Sequence, residues 1–162
     1  MISECAVEEI DEIDKGLFLG NLKAASNLNL LAKHKITHVV VCGNGLEKYF
    51  PANFSYCQIN IEDVIDADIA THFPETSNFI DTALKNKGRV FVHCVMGISR
   101  SPTIIIAYLM KHRKMKLHKA IQKVKKKRFV VNPNIGFLLQ LKQFEKTIET
   151  DETGCECKCN II

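Results

Sequence analysis

Two stretches of the chain are short, apolar and rich in β-branched residues. Thr37-His38-Val39-Val40-Val41-Cys42 is closed by Gly43-Asn44-Gly45, and Arg89-Val90-Phe91-Val92-His93-Cys94 follows Gly88. Runs of this length with turn residues beside them read as buried strands, the second of them central in its sheet. Leu17 to Leu19, stopped by Gly20-Asn21, reads as a first strand and Tyr56 to Ile61 as another. Leu28, Leu31 and Ala32 have helical spacing. Asp68 is placed to cap a helix that runs, with an adjustment at Pro74, through Phe79, Ile80 and Leu84 to Lys87-Gly88. Ser99-Arg100-Ser101-Pro102 holds residue types that open helices, and Ile104, Ile105, Ile106, Leu109 and Met110 then form an apolar block long enough for a buried one. Further helices are expected near Leu117 to Lys127 and Ile135 to Ile148, separated by Asn132-Pro133-Asn134. Strands alternate with helices early and helices close the chain, so the class is α/β, a mostly parallel central sheet flanked by helices.

With 162 residues, 46% hydrophobic and 25% charged, and no internal repeat or linker, the chain reads as one domain over 1–148 followed by a flexible tail over 149–162. It lacks an apolar run of about 18 residues. Its start, Met1-Ile2-Ser3-Glu4, is unlike a signal peptide, and a cytoplasmic location is expected. The seven cysteines sit at unrelated spacings, which argues against a disulfide framework and for a reducing compartment. Charge changes the picture more. The first fourteen residues hold six acids and no Lys or Arg, whereas Lys111 to Arg128 holds ten Lys or Arg and no acid. That basic stretch is either the solvated faces of two helices or a patch for acidic substrates or anionic lipid. Nucleic acid is not expected as a partner, since no stacking platform accompanies the charge.

The segment His93-Cys94-Val95-Met96-Gly97-Ile98-Ser99-Arg100-Ser101 lies between the central strand and the buried helix. A loop in that position can turn the backbone N–H groups of Val95, Met96, Gly97, Ile98, Ser99 and Arg100 toward one point, and the helix adds its positive end, which makes a cradle for a phosphate dianion. Gly97 allows backbone geometry closed to other residues, and the planar fork of Arg100 can grip two phosphate oxygens. The same donors would stabilise a thiolate at Cys94, so one cause serves both nucleophile and substrate. A lone cysteine at a strand end is ordinarily a small buried residue. Here the Cys-x5-Arg spacing and its flanks outweigh that.

These residues resemble the signature of the cysteine-based protein tyrosine phosphatase superfamily, and the Ser-Arg-Ser ending resembles its dual-specificity branch, small atypical type. Leu17-Phe18-Leu19-Gly20, Ile36-Thr37-His38-Val39 and Asn132-Pro133-Asn134-x-Gly136-Phe137-x-x-Gln140-Leu141 are similar, in order, to that branch's first strand, second strand and closing helix. The resemblance implies a cysteine-phosphatase-like fold and hydrolysis of phosphotyrosine, phosphoserine or phosphothreonine in proteins by a monomeric enzyme needing no metal or other cofactor. It implies a phosphocysteine on Cys94, Ser101 assisting the thiolate's departure, and support of the cradle from His93 and Asn134. His93 can also be read as filling space at a strand end. A leaving group needs a proton, and among Glu62, Asp63, Asp66 and Asp68 the position of the family's acid loop favours Asp63, with Asp66 next. In the implied fold Cys42 ends a strand beside that of Cys94, ~4.8 Å away, and is either a redox partner for it or a buried small residue. Rival readings are a phosphoprotein-binding module without turnover and another Cys-x5-Arg enzyme such as a sulfurtransferase or arsenate reductase. The tail Gly154-Cys155-Glu156-Cys157-Lys158-Cys159-Asn160-Ile161-Ile162 reads as a C-a-a-X box, with Cys159 open to prenylation and Cys155 or Cys157 to palmitoylation, which would add membrane association.

Overall fold

The computed structural model describes residues 9–154. Among these residues five strands form one sheet: β1 Ile10–Asp14, β2 Leu17–Gly20, β3 His38–Cys42, β4 Ser55–Ile59 and β5 Val90–His93, in the spatial order β1-β2-β5-β3-β4. Only β1 runs antiparallel, against β2; the other three pairings are parallel. The central position of β5 follows from its sequence, since all four residues are buried. Alternation along the strands sorts side chains to two faces. Val40, Val90 and Val92 join one apolar cluster with Phe73, Ile80, Val124, Phe137 and Leu141, while Val39, Val41 and Phe91 join a second with Ala24, Ala25 and Leu31. The first cluster is covered by α3 (Phe73–Lys85), α4 (Arg100–His112), α5 (Leu117–Lys127) and α6 (Ile135–Gly154), and the second by α1 (Leu22–Ala25) and α2 (Leu28–Lys33). Among the described residues no helix is long and apolar enough to cross a membrane.

The helices expected from periodicity are present, with differences that have local causes. Asp68 accepts a hydrogen bond from the Thr71 N–H at 3.3 Å and so starts a single 3₁₀ turn, Ala70–His72; the α-helix proper begins beside Pro74, whose missing N–H suits a first turn. From Ser101 to Met110 α4 is buried at every position. α6 continues past Ile148 to Gly154. Cys155, Cys157 and Cys159 lie outside the described residues.

β1 was not legible as a strand, because Asp11, Glu12 and Asp14 interrupt its apolar pattern. Its acids meet the basic stretch. Asp14 accepts from Arg113 Nε at 2.8 Å and Lys123 Nζ at 2.7 Å, and Asp11 from Arg128 Nη1 at 2.8 Å. The two opposed charge runs therefore pair in part with each other, while Lys125, Lys126 and Lys127 remain exposed. Burial pushes the Asp14 carboxyl up, but hydrogen bonds from Arg113 and Lys123 more than offset this and hold it below the ordinary 3.8. A depressed carboxylate contributes stability above its unfolded pKa and loses it as pH falls through the folded one. Asp14→Asn is expected to cost about 1–2 kcal/mol at neutral pH. In urea unfolding the gap between variant and wild type should close as the pH is taken well below 3.8.

Candidate active site

Cys94 to Ser99 connect β5 to α4, at the carboxyl ends of the parallel strands, where open α/β sheets leave room for ligands. Every carbonyl of this loop is taken from behind. Cys94 O accepts from His93 Nδ1 (3.2 Å), Val95 O from the Leu22 N–H (2.9 Å), Met96 O from Arg128 Nη2 (3.2 Å) and Gly97 O from Arg128 Nε (3.0 Å). Ile98 O accepts from the Asn132 N–H (2.8 Å), and Ser99 O from both the N–H (3.1 Å) and Oγ1 (2.7 Å) of Thr103. A trans peptide group points its N–H opposite to its C=O. The N–H groups of Val95 through Arg100 thus point away from these donors, the one at Gly97 meeting Cys94 Sγ at 3.2 Å, and the start of the 13-residue α4 adds its positive end. Gly97 makes the turn at φ +66°, and a Cβ on it would stand 2.6 Å from Gly20 O and 3.0 Å from Arg128 Nη2.

At the bottom lies Cys94, 2% exposed. Its Sγ accepts from the Gly97 N–H at 3.2 Å and from Ser101 Oγ at 3.1 Å. His93 is stacked on Phe91, and burial lowers its pKa to about 4 although the Cys94 carbonyl favours the protonated ring. It is neutral at physiological pH, with the proton on the Nδ1 that faces the carbonyl. Arg100 Nη1 donates to Ile61 O at 3.4 Å, while its Nε is buried without a hydrogen-bond partner, 3.8 Å from Asp63 Oδ2. A buried donor left open at an N–H cradle suits an incoming oxyanion.

The acid loop after β4 is fastened by α6. Asp63 Oδ1 accepts from Ser99 Oγ (2.7 Å) and Asn134 Nδ2 (2.9 Å). Asn134 also donates its backbone N–H to Ser99 Oγ (3.0 Å), and its Oδ1 caps α6 by accepting from the Phe137 N–H (3.0 Å). Gln140 holds Ala67 O and the Ala70 N–H at 2.8 and 2.9 Å. The fit leaves no room: a Cβ at Gly136 would lie 1.8 Å from Ile65 O. Asp63 is thus the carboxylate that reaches the cradle. Glu62 instead accepts from Asn44 Nδ2 at 3.4 Å, Asp66 is exposed, and Asp68 serves the 3₁₀ turn. Cys42, fully buried, ends β3 one residue beyond Val41, whose partner is His93, and shares a core cluster with Cys94. Burial first, and the neighbouring thiols Cys94 and Cys57 next, push its pKa well above the ordinary thiol value. Sequence reasoning missed Arg128, reading it with its lysine neighbours as a surface charge.

Residues 17–147 match the catalytic domain of dual specificity phosphatases. The chain belongs to that family. It is 42% identical over 142 residues to Dual specificity protein phosphatase 1B of Arabidopsis thaliana, covering 88% of this chain and 85% of that one. The crystal structure of human tyrosine phosphatase-like serine/threonine/tyrosine-interacting protein is 38% identical with a TM-score of 0.81, over 85% of this chain and 96% of that one. Human DUSP28 gives 30% and 0.85, over 88% and 96%. The chain is a cysteine-dependent phosphatase with the mixed α/β fold of its family. In this phosphatase the packing at Gly136 gives a test of how the acid loop is set. Gly136→Ala must displace Ile65 and with it Asp63. Turnover of phenyl phosphate should fall by about tenfold or more, and that of an aryl phosphate with a strongly acidic leaving group by much less, since only the former needs the proton.

Proposed function

We propose that the Cys94 thiolate attacks the phosphorus of a tyrosine, serine or threonine phosphate on a protein. As the S–P bond forms, the bond to the leaving oxygen breaks and the protonated Asp63 gives that oxygen its proton. The Asp63 carboxylate then takes a proton from a water that attacks the phosphocysteine, and the S–P bond breaks with Ser101 Oγ–H donating to the departing sulfur. Arg100 and the loop N–H groups hold the equatorial oxygens, more strongly as charge spreads in the transition state. His93 and Asn134 act from behind, one on the Cys94 carbonyl and the other on Asp63. The observation that carries this reading is that Cys94 Sγ accepts from the Gly97 N–H at 3.2 Å and from the Ser101 hydroxyl at 3.1 Å, in a loop whose carbonyls are all bonded elsewhere, while the Arg100 that opens the next helix keeps a buried Nε without a hydrogen-bond partner.

A protein substrate is supported by the rim. Val64, Ile65, Met96, Phe129, Ile135 and Leu139, on the acid loop, the cradle and the segments next to them, are exposed. Bare apolar side chains around a phosphate site suit a polypeptide better than a free small phosphate. Cys94→Ser should lose at least about a thousandfold in kcat on an aryl phosphate, yet still bind tungstate in calorimetry, because the cradle is backbone and Arg100. Residual activity above about a thousandth of wild type would remove Cys94 as nucleophile. Asp63→Asn should slow poor leaving groups by about a hundredfold and abolish the acid's limb of the pH profile; an unchanged profile would assign the proton to another group.

For localisation we propose the cytoplasmic face of a membrane, reached by a monomer through lipid on Cys159 with Cys157 or Cys155. The exposed Lys125, Lys126 and Lys127 support attraction to anionic lipid. Mass spectrometry of protein from its own cells should find a lipid on these cysteines; an unmodified Cys159 with Ile162 still attached would end the proposal.

A further inference from the structure

The basic run ends in a residue unlike the rest of it. Lys125, Lys126 and Lys127 are exposed, whereas Arg128 is 2% exposed, with its guanidinium directly behind the phosphate cradle. Three of its donor atoms have separate acceptors: Nε gives to Gly97 O at 3.0 Å, Nη2 to Met96 O at 3.2 Å and Nη1 to Asp11 Oδ2 at 2.8 Å. The first two acceptors belong to consecutive peptide groups whose other ends are the Gly97 and Ile98 N–H groups of the cradle. One of those, the Gly97 N–H, lies 3.2 Å from Cys94 Sγ.

Consecutive groups here are the ones most in need of restraint. Gly97 makes the turn at φ +66°, and a residue without a side chain resists rotation of its flanking peptides least. A flip of either group would replace an inward N–H by an inward carbonyl, exchanging attraction for repulsion of a dianion and of the Cys94 thiolate. The other four loop carbonyls are held by donors that belong to backbone or to neutral side chains. The two around Gly97 are held by one buried cation, which also polarises both amides so that their N–H ends are more positive. The tight approach works in both directions: a Cβ at residue 97 would meet Nη2 at 3.0 Å, so the glycine that makes the turn also admits the guanidinium.

Resting on the phosphatase reading above, we infer that Arg128 is a positioning residue, a clamp that locks the two peptide groups flanking Gly97 with their N–H ends facing Cys94 and the substrate phosphate. Asp11, on β1, is the anchor that keeps the guanidinium charge neutralised in its buried place. A lysine cannot substitute, because a single ammonium lacks the planar fork that spans both carbonyls and the carboxylate.

The test uses the full chain with Arg128→Lys, Arg128→Met and Asp11→Asn. It reads tungstate binding by calorimetry, the pH dependence of Cys94 alkylation by iodoacetate followed by peptide mass, and thermal unfolding. In folded Arg128→Lys, tungstate binding is expected to weaken by about tenfold or more, and the alkylation profile to move to higher pH, as expected when charge-assisted bonds and fixed dipoles are lost. Asp11→Asn keeps both carbonyl contacts, and should lower the unfolding temperature while changing tungstate affinity by less than about threefold. If Arg128→Met does not fold, Arg128→Lys decides. A folded Arg128→Lys whose alkylation profile and tungstate affinity stay within about twofold of wild type overturns the clamp and leaves Arg128 a purely structural ion pair. Absence of aryl phosphate turnover in the wild type would overturn the phosphatase reading instead, since neither binding nor alkylation depends on turnover.

Discussion

A peptide group in the trans form cannot point both its dipole ends at the same place. To present a row of N–H groups to one anion, a loop must find donors for all the carbonyls on its reverse side, because a buried carbonyl left alone costs as much as a lost hydrogen bond. Much of this fold can be read as the answer to that requirement. The first turn of α1 supplies the Leu22 N–H, the segment before α6 supplies the Asn132 N–H, α4 supplies Thr103, β5 supplies His93, and the end of α5 supplies Arg128. Besides the strand and helix that flank it, three separate pieces of chain therefore converge on a six-residue loop.

The acid loop obeys a related rule. The Asp63 carboxylate stands beside the cradle without collapsing onto Arg100. Ser99 and Asn134 hold one of its oxygens at hydrogen-bond distance, which leaves the other 3.8 Å from the Arg100 Nε. Since Asn134 is also the cap of α6, one side chain ties together the helix start, the acid and the cradle. Catalysis by positioned groups depends on such shared anchoring, because small displacements cost large factors in rate.

Charge distribution serves the same arrangement. The acidic stretch of β1 and the basic stretch of α4 to Arg128 neutralise one another where they meet, and Lys125, Lys126 and Lys127 stay exposed. Read as composition, these were two independent surface features. In the structure, Asp11 is the carboxylate that pairs with the guanidinium buried beneath the loop.

How much of this was legible in the sequence follows from the range of the interactions involved. Strand and helix types, the central place of β5 and the buried character of α4 were readable because periodicity and burial act over a few residues. The cradle was readable for the same reason: Cys94, Gly97, Arg100 and Ser101 lie close together in one short run of chain, and their chemistry is set by spacing. β1 was hidden because Asp11 and Asp14 face Lys123 on α5 and the arginines just beyond the ends of α4 and α5, and tertiary pairing overrode a pattern that looked solvated. Asp63 was separated from Asp66 only by resemblance, and Arg128 from Lys127 not at all. Which carboxylate reaches the loop and which cation is buried depend on contacts between residues 11, 63, 97, 128 and 134. Those contacts exist only once the sheet has brought distant segments together, so the sequence by itself determined the reacting loop and the tertiary structure decided what holds it in its reactive form.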